Sequence, residues 1–333
     1  MTSRGRPGSR PPATAPEAAP VAPLDLRPGL VVRLEGGFYT VKHEGAQTLC
    51  TLAKRLRRGA RTQTNPLAVG DLVGMKTVGA DQGVIEEILP RHNELVRAAP
   101  GREAVRQVLA TNLDLLLVAT TVRLPPPNLA RLDRFLIIAE QSEVTTVIIA
   151  TKTDLGDEGE ADEVYGLYRE AGYELLPVSV ETRAGVDDFR ERVTGSISAI
   201  IGVSGAGKSS LLNAMQPGLR LREGAVNEKT AKGRHTTTVA ELLPLDGGGY
   251  IADTPGLRGI EPFDLDPALL DAYFPEMRPY LMTCRFSPCT HLHEPGCAVR
   301  EAVEAGVIAE SRYESYVKLY EEARENMRPL WAR

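Results

Sequence analysis

The chain has 333 residues, a formal net charge of −5, 42% hydrophobic and 25% charged residues. That is room for two or three globular domains, each with its own core. No apolar run approaches the ~20 residues that span a bilayer, and the acidic balance argues against a protein that coats nucleic acid along its whole surface.

In chain order, residues 1–28 begin "MTSRGRPGSRPPATAPEAAPVAPLDLR", rich in Pro, Ala and Arg without a continuous apolar core. That composition predicts a disordered, mildly basic tail and no secretory signal, so a cytoplasmic protein is expected. Over 29–97 short apolar runs succeed one another. "LVVRLEGGFYTVKHEG" sets two of them around Gly36-Gly37, a hairpin signal, and "LAVGDLVGMKTV" and "GVIEEIL" continue the pattern. Such a series predicts a small closed all-β barrel. An OB-type barrel is one solution, which the pattern alone does not separate from other small barrels. Within it, "AKRLRRGAR" gathers Lys54, Arg55, Arg57, Arg58 and Arg61 with no acid among them. This is a candidate RNA-binding patch or a solvated basic loop.

Over 98–263 the rhythm changes. The apolar runs "DLLLVAT", "TTVIIAT", "YELLPVS" and "SAIIGVS" alternate with helical segments such as "NLARLDRFLIIAEQ" and "ADEVYGLYREAG", and "AELLPL" and "GYIADT" add two strands. This predicts an α/β domain whose mostly parallel sheet is covered on both faces, with ligands at the carboxyl ends of its strands. Over 264–333 a cysteine cluster and the helical "EAVEAGVIAESRYESYVKLYEEAREN" predict a small α-helical domain without strands. Cys50 stands apart and reads as a small buried apolar residue.

"IIGVSGAGKSSLLNAM" follows an apolar strand and opens an amphipathic helix. Its Gly202-x-x-x-x-Gly207-Lys208-Ser209 pattern is that of a phosphate loop, in which backbone N–H groups from Gly202, Val203, Ser204, Gly205, Ala206, Gly207, Lys208, Ser209 and Ser210 surround phosphate oxygens. Lys208 is placed to neutralise the β and γ phosphates and Ser209 to ligate magnesium. In "YIADTPGLR", Asp253 follows a strand as a magnesium-associated acid should, and Gly256 has the spacing of a switch glycine whose N–H meets the γ-phosphate. "GRHTTTV" lies between these motifs, and one of its hydroxyls, from Thr236, Thr237 or Thr238, would complete the magnesium shell.

A phosphate loop by itself leaves GTPase, ATPase and kinase open. "VIIATKTDL" (147–155) bears on the choice, because Thr151-Lys152-Thr153-Asp154 stands where GTP-binding proteins carry Asn-Lys-x-Asp. A carboxylate at Asp154 accepts from guanine N1–H and its exocyclic amine together, the Lys152 stem covers the base, and Ser179 in "PVSVETRAG" falls where a second base-contacting loop would lie. These base loops precede the phosphate loop in the chain. A sheet edge depends on spatial order rather than chain order, so circular permutation accounts for the arrangement. Thr151 is the departure: its hydroxyl does not reproduce both the donor and the acceptor of an Asn amide.

The residue after the switch glycine is Leu257, where many GTPases place a water-orienting Gln, so intrinsic hydrolysis should be slow. His235 is the internal candidate to complete the chemistry with Lys208 and Gly256, or else a switch histidine without a chemical role. "CRFSPCTHLHEPGC" carries Cys284, Cys289, Cys297 and, as fourth donor, His291 or His293. Three thiolates and an imidazole suit one tetrahedral structural zinc with no position left open for water.

The order TKTD, GVSGAGKSS, GRHTTT, DTPG, behind a barrel and ahead of "CTHLHEPGCAV", resembles the circularly permuted ribosome small subunit-dependent GTPase family, RsgA or YjeQ. The resemblance covers nearly everything from residue 29 on. It implies an OB-fold, a permuted GTPase domain and a zinc-binding C-terminal domain. It selects His291 as the zinc ligand and Thr237 as the magnesium threonine, and it supports His235 in catalysis. Its implied activity is GTP hydrolysis stimulated by the small (30S) ribosomal subunit, in late maturation of that subunit and in contact with its rRNA. A monomer is expected. The second expectation is an rRNA-binding assembly factor whose nucleotide domain is degenerate, with Thr151 as its main support.

Overall fold

The computed structural model describes residues 26–57, 65–79, 81–99, 102–219, 239–257 and 259–327. Five strands close on themselves: β1 (Arg27–Glu35), β2 (Phe38–His43), β3 (Ala46–Leu52), then, after a one-turn helix α1 (Lys54–Arg57), β4 (Leu72–Thr77) and β5 (Gln82–Ile88). Their hydrogen-bonded order is β1-β2-β3-β5-β4 with β4 returning to β1, and β3–β5 is the parallel pair. This is the closed OB-type barrel. Gly36 and Gly37 take φ of +59° and +85° at the first hairpin, the two positive values that match a two-residue turn to the strands' twist. Inward residues Val31, Val41, Cys50, Val73, Met75 and Ile85 fill the barrel. Burial pushes the Cys50 thiol up to about 11, so it behaves as an apolar side chain.

A hairpin not expected from the sequence follows, β6 (Glu94–Ala99) and β7 (Arg102–Thr111). The boundary expected after Arg97 falls within its first strand. Fully buried Asp71 ties hairpin to barrel: Arg91 Nε donates to it at 2.6 Å and Thr111 Oγ1 at 3.0 Å.

The α/β layer contains β8 (Leu115–Thr121), α2 (Leu129–Ser142), β9 (Thr145–Thr151), α3 (Glu160–Glu170), β10 (Glu174–Val178), α4 (Val186–Val193), β11 (Ile197–Gly202), α5 (Lys208–Met215), β12 (Ala240–Pro244) and β13 (Tyr250–Asp253). Spatial order is β10-β9-β8-β11-β13-β12, parallel except for β12. Every residue of β8 is buried. Such a strand lies in the middle of a sheet covered on both faces, and two apolar clusters, one around Leu136 and Tyr165 and one around Phe189 and Leu211, cover them. The sheet runs on into the barrel, because β1 pairs with β12 at Arg33–Glu241 and Leu34–Ala240.

After β13 no strand occurs among the described residues. Two 3-10 helices (Leu270–Tyr273 and Pro275–Tyr280), α6 (Ala298–Glu304) and α7 (Glu310–Met327) share a core of Phe274, Met277, Val299, Tyr316 and Leu319 with Ile137 from α2. Fully buried Arg312 of α7 donates to Asp133 of α2 and to Glu276, both at 2.6 Å, and Tyr168 donates to the same Asp133 at 2.7 Å. A buried cation between two carboxylates is a costly arrangement to break, and it fastens this part of the chain to the α/β layer.

Candidate nucleotide and metal sites

The phosphate-loop residues form the turn from β11 into α5. Gly202, Gly205 and Gly207 take φ of +139°, +80° and +71°. A Cβ on Gly202 would lie 2.1 Å from the Ala119 carbonyl oxygen, so only glycine fits where β8 and β11 converge. Lys208 Nζ donates to the carbonyls of Gly202 and Val203, each at 2.8 Å, which lays the ammonium along its own loop. Ser204, Gly205 and Ser210 are exposed, Ala206 is buried, and Ser209 is half-buried in the first turn of α5.

The residues expected to read a base lie at or just after the carboxyl ends of β9 and β10. Thr151 is the last residue of β9 and is 3% exposed. Its Oγ1 is 2.8 Å from the carbonyl oxygen of Thr120 and 2.9 Å from that of Ala206. It therefore stitches the end of β8 to the phosphate loop and turns away from solvent. Lys152 adopts a left-handed φ of +59°. Its Nζ donates to Leu124 O at 2.6 Å, and its Cε would be 3.9 Å from a Cβ on Gly207. The lysine stem thus runs beside the phosphate loop. Thr153 and Asp154 begin a 3-10 turn, Asp154 exposed, and Ser179 Oγ donates to Asp154 Oδ1 at 2.6 Å. Ser179 is buried and also accepts from Thr182 N at 3.1 Å. Segments far apart in sequence, 151–154, 179 and 202–210, thereby meet at one sheet edge.

On the other side of β11, Asp253 ends β13, opposite Glu241 of β12. Thr254 is buried, and among the described residues its hydroxyl has no hydrogen-bond partner. Gly256 takes φ of +122°, and Leu257 is turned into the apolar core. His235, Thr236, Thr237 and Thr238 lie outside the described residues, as do Arg58 and Arg61. Lys54 and Arg55 are exposed on α1, which also contains Arg57. Arg55 lies 3.2 Å from the Glu86 carboxylate, so its charge is partly matched within the protein.

The donor atoms of Cys284, Cys289, His291 and Cys297 all lie within 4.8 Å of one another. The Cys284–Cys297 sulfurs are 4.0 Å apart, and His291 Nδ1 is 3.6 and 3.3 Å from them. A tetrahedron of thiolates around zinc has edges of about 3.8 Å, so the cluster fits a metal ion. His291 is buried with its Nε2 at 3.2 Å from Asp271 Oδ2, a carboxylate that fixes the ring so that Nδ1 faces the sulfurs. His293 is exposed and stands outside the cluster. Burial acts against a charged Cys284, but N–H groups of Ala298 and Val299 at the start of α6, together with His291 and Cys289, outweigh it and hold this thiol below its ordinary value. Asp271 was not legible as part of the site; only its appearance in a 3-10 turn packed on the cysteines reveals it.

A family model described as RsgA GTPase matches residues 88–263, just over half of the chain. The chain belongs to the RsgA GTPase family. Among its relatives, the small ribosomal subunit biogenesis GTPase RsgA of Phocaeicola vulgatus is 38% identical over 301 residues, covering 89% of this chain and 97% of the relative. That of Moorella thermoacetica is 42% identical over 289 residues, covering 87% and 94%. The crystal structure of YjeQ from Thermotoga maritima superposes with a TM-score of 0.75 at 36% identity, covering 91% of this chain and 99% of that one. YloQ, described as a circularly permuted GTPase, follows at 0.70 and 29%, covering 91% and 97%. Membership accounts for the order of the elements: β9, which ends at Thr151, and β10, which Ser179 follows, precede the phosphate-loop strand β11 in the chain and run in the same sheet, with β8 between β9 and β11.

Proposed function

We propose that this protein hydrolyses GTP to GDP and phosphate in the biogenesis of the small ribosomal subunit, and that the subunit stimulates the reaction. The observation that carries the reading is the 2.6 Å bond from Ser179 to Asp154 beside a loop formed by Gly202–Ser210. Two polar groups at one end and a ring of N–H donors at the other match a guanine nucleotide and its phosphates.

In this mechanism Asp154 accepts from guanine N1–H and its exocyclic amine, Lys152 and Thr153 line the base, and Ser179 holds the carboxylate in orientation. Thr151 keeps the base strand and phosphate loop in register. Backbone N–H groups of 202–210 bind the phosphates while Lys208 moves its ammonium onto them. Ser209, Thr237 and Asp253 are the residues to hold magnesium, which when bound neutralises β- and γ-oxygens. Gly256 donates its N–H to the γ-phosphate. His235 orients the attacking water in place of the missing Gln.

Cys284, Cys289, His291 and Cys297 hold one structural zinc. Lys54, Arg55, Arg57, Arg58 and Arg61 contact rRNA backbone. The chain divides into a tail (1–28), the barrel (29–97), the GTPase domain (98–263) and the zinc-binding domain (264–333), with the β6–β7 hairpin as the joint between barrel and GTPase domain. It works as a cytoplasmic monomer; among the described residues no helix is long and apolar enough to cross a membrane. GTP turnover with and without purified small subunits tests the reading. Turnover that rises with subunits supports it. Tight subunit binding without turnover would instead favour an RNA-binding assembly factor with a degenerate nucleotide domain.

A further inference from the structure

The switch glycine has an unexpected neighbour. Arg97, on β6 and outside the nucleotide-binding sheet, lays its guanidinium directly on Gly256. A Cβ on Gly256 would lie 2.5 Å from Arg97 Cζ and 2.7 and 2.8 Å from its terminal nitrogens. Nε donates to Gln107 Oε1 at 2.9 Å; among the described residues neither terminal nitrogen has an acceptor and no carboxylate pairs with the group. The contrast within the same region is sharp. Arg91 pairs with Asp71 and Glu94, and Arg106 pairs with Glu94. Arg97 is half-buried, and burial lowers its pKa. A desolvated cation without an acid is unfavourable unless an anion is brought to it.

We infer that Arg97 supplies, from within the same chain, the cation that stabilises the γ-phosphoryl group during GTP hydrolysis. The inference deepens the GTPase reading above and rests on it. A γ-phosphate accepting the Gly256 N–H has its oxygens next to the peptide on which this guanidinium lies. Leu257, buried in the apolar core, brings no charge there. In the reaction a water oxygen bonds to Pγ while the bond from Pγ to the β–γ bridging oxygen breaks. The electron pair leaves on GDP, and the water's proton ends on the released phosphate. Arg97 exchanges no proton; it offsets charge that is spread over the phosphoryl oxygens as they pass in flight.

The test compares wild type, Arg97→Lys and Arg97→Met in single-turnover GTP hydrolysis with small subunits present. It adds the affinities for GDP and for GDP with aluminium fluoride, which mimics the phosphoryl group in transfer. Removing the charge should slow hydrolysis roughly a hundredfold and abolish the extra affinity conferred by fluoride, with GDP affinity and melting temperature near wild type. Lysine, a point charge without the planar fork, should restore part of the rate. Wild-type hydrolysis by Arg97→Met overturns the inference, as does a fall in GDP affinity that matches the fall in rate. Should Arg97→Met fail to fold, Gln107→Leu, which frees the guanidinium from its one anchor, must slow hydrolysis at unchanged GDP affinity; an unchanged rate then overturns the proposal. If wild type itself turns over no GTP, the GTPase reading fails and Arg97's role with it.

Discussion

Thr151→Val removes one hydroxyl and nearly preserves shape, so it isolates what this residue does. The hydroxyl lies within 2.9 Å of two carbonyl oxygens, on Thr120 and Ala206, in a position 3% exposed. It has one proton to donate and so makes one full hydrogen bond at a time. The loss is that bond together with the desolvation of a carbonyl left without a donor, about 1–3 kcal/mol. Shared between folding and loop position, that corresponds to a melting temperature lower by roughly 2–4 °C per kcal/mol and, at most, nucleotide affinity weakened about 5–150-fold. Because the side chain faces the phosphate loop, the weakening should be equal for GTP, ITP and XTP. Thermal melts and competition titrations of the three nucleotides against a fluorescent GDP measure both quantities. A change in preference among the bases larger than about threefold, well under 1 kcal/mol, would mean that Thr151 touches the base and that the stitch is the wrong description.

Asp154→Asn should move preference from GTP toward XTP, since the reversed donor and acceptor suit the xanthine edge; unchanged relative affinities would remove Asp154 from base recognition. His235→Ala is expected to lower subunit-stimulated turnover more than GTP affinity, and equal stimulated rates in mutant and wild type would rule the imidazole out of the chemistry. Asp271→Asn, which weakens the hold on His291 Nε2, should reduce metal affinity by about 10–100-fold. Chelator competition on thiol-protected protein checks that figure, and metal analysis of the fresh wild type identifies the ion.

The motifs were legible because each is a local rule. Glycines at 202, 205 and 207 demand positive φ, and Gly36-Gly37 demands a hairpin. Alternation of buried strands with amphipathic helices named the α/β layer. Cysteine spacing named the metal cluster, and geometry then separated His291 from His293. What stayed hidden was tertiary. The β6–β7 hairpin carries register shifts at Leu95/Val96 and Ala98/Ala99, and such bulges break the alternation by which a strand is read. Helix α1 is a single turn inside a strand-rich stretch. Asp271 and Arg97 act on residues distant in sequence, on His291 and Gly256, and nothing in their own neighbourhoods marks them. Thr151 is the instructive case. Its departure from Asn suggested a weakened base contact, whereas its bonds run to the backbone of β8 and of the phosphate loop.

A crystal structure with a non-hydrolysable GTP analogue and magnesium bears most directly on the nucleotide pocket. The guanine N1 and exocyclic amine should lie within hydrogen-bonding distance of the Asp154 carboxylate while the phosphates occupy the loop at 202–210. A base bound elsewhere, with Asp154 facing solvent, would contradict the account at its root.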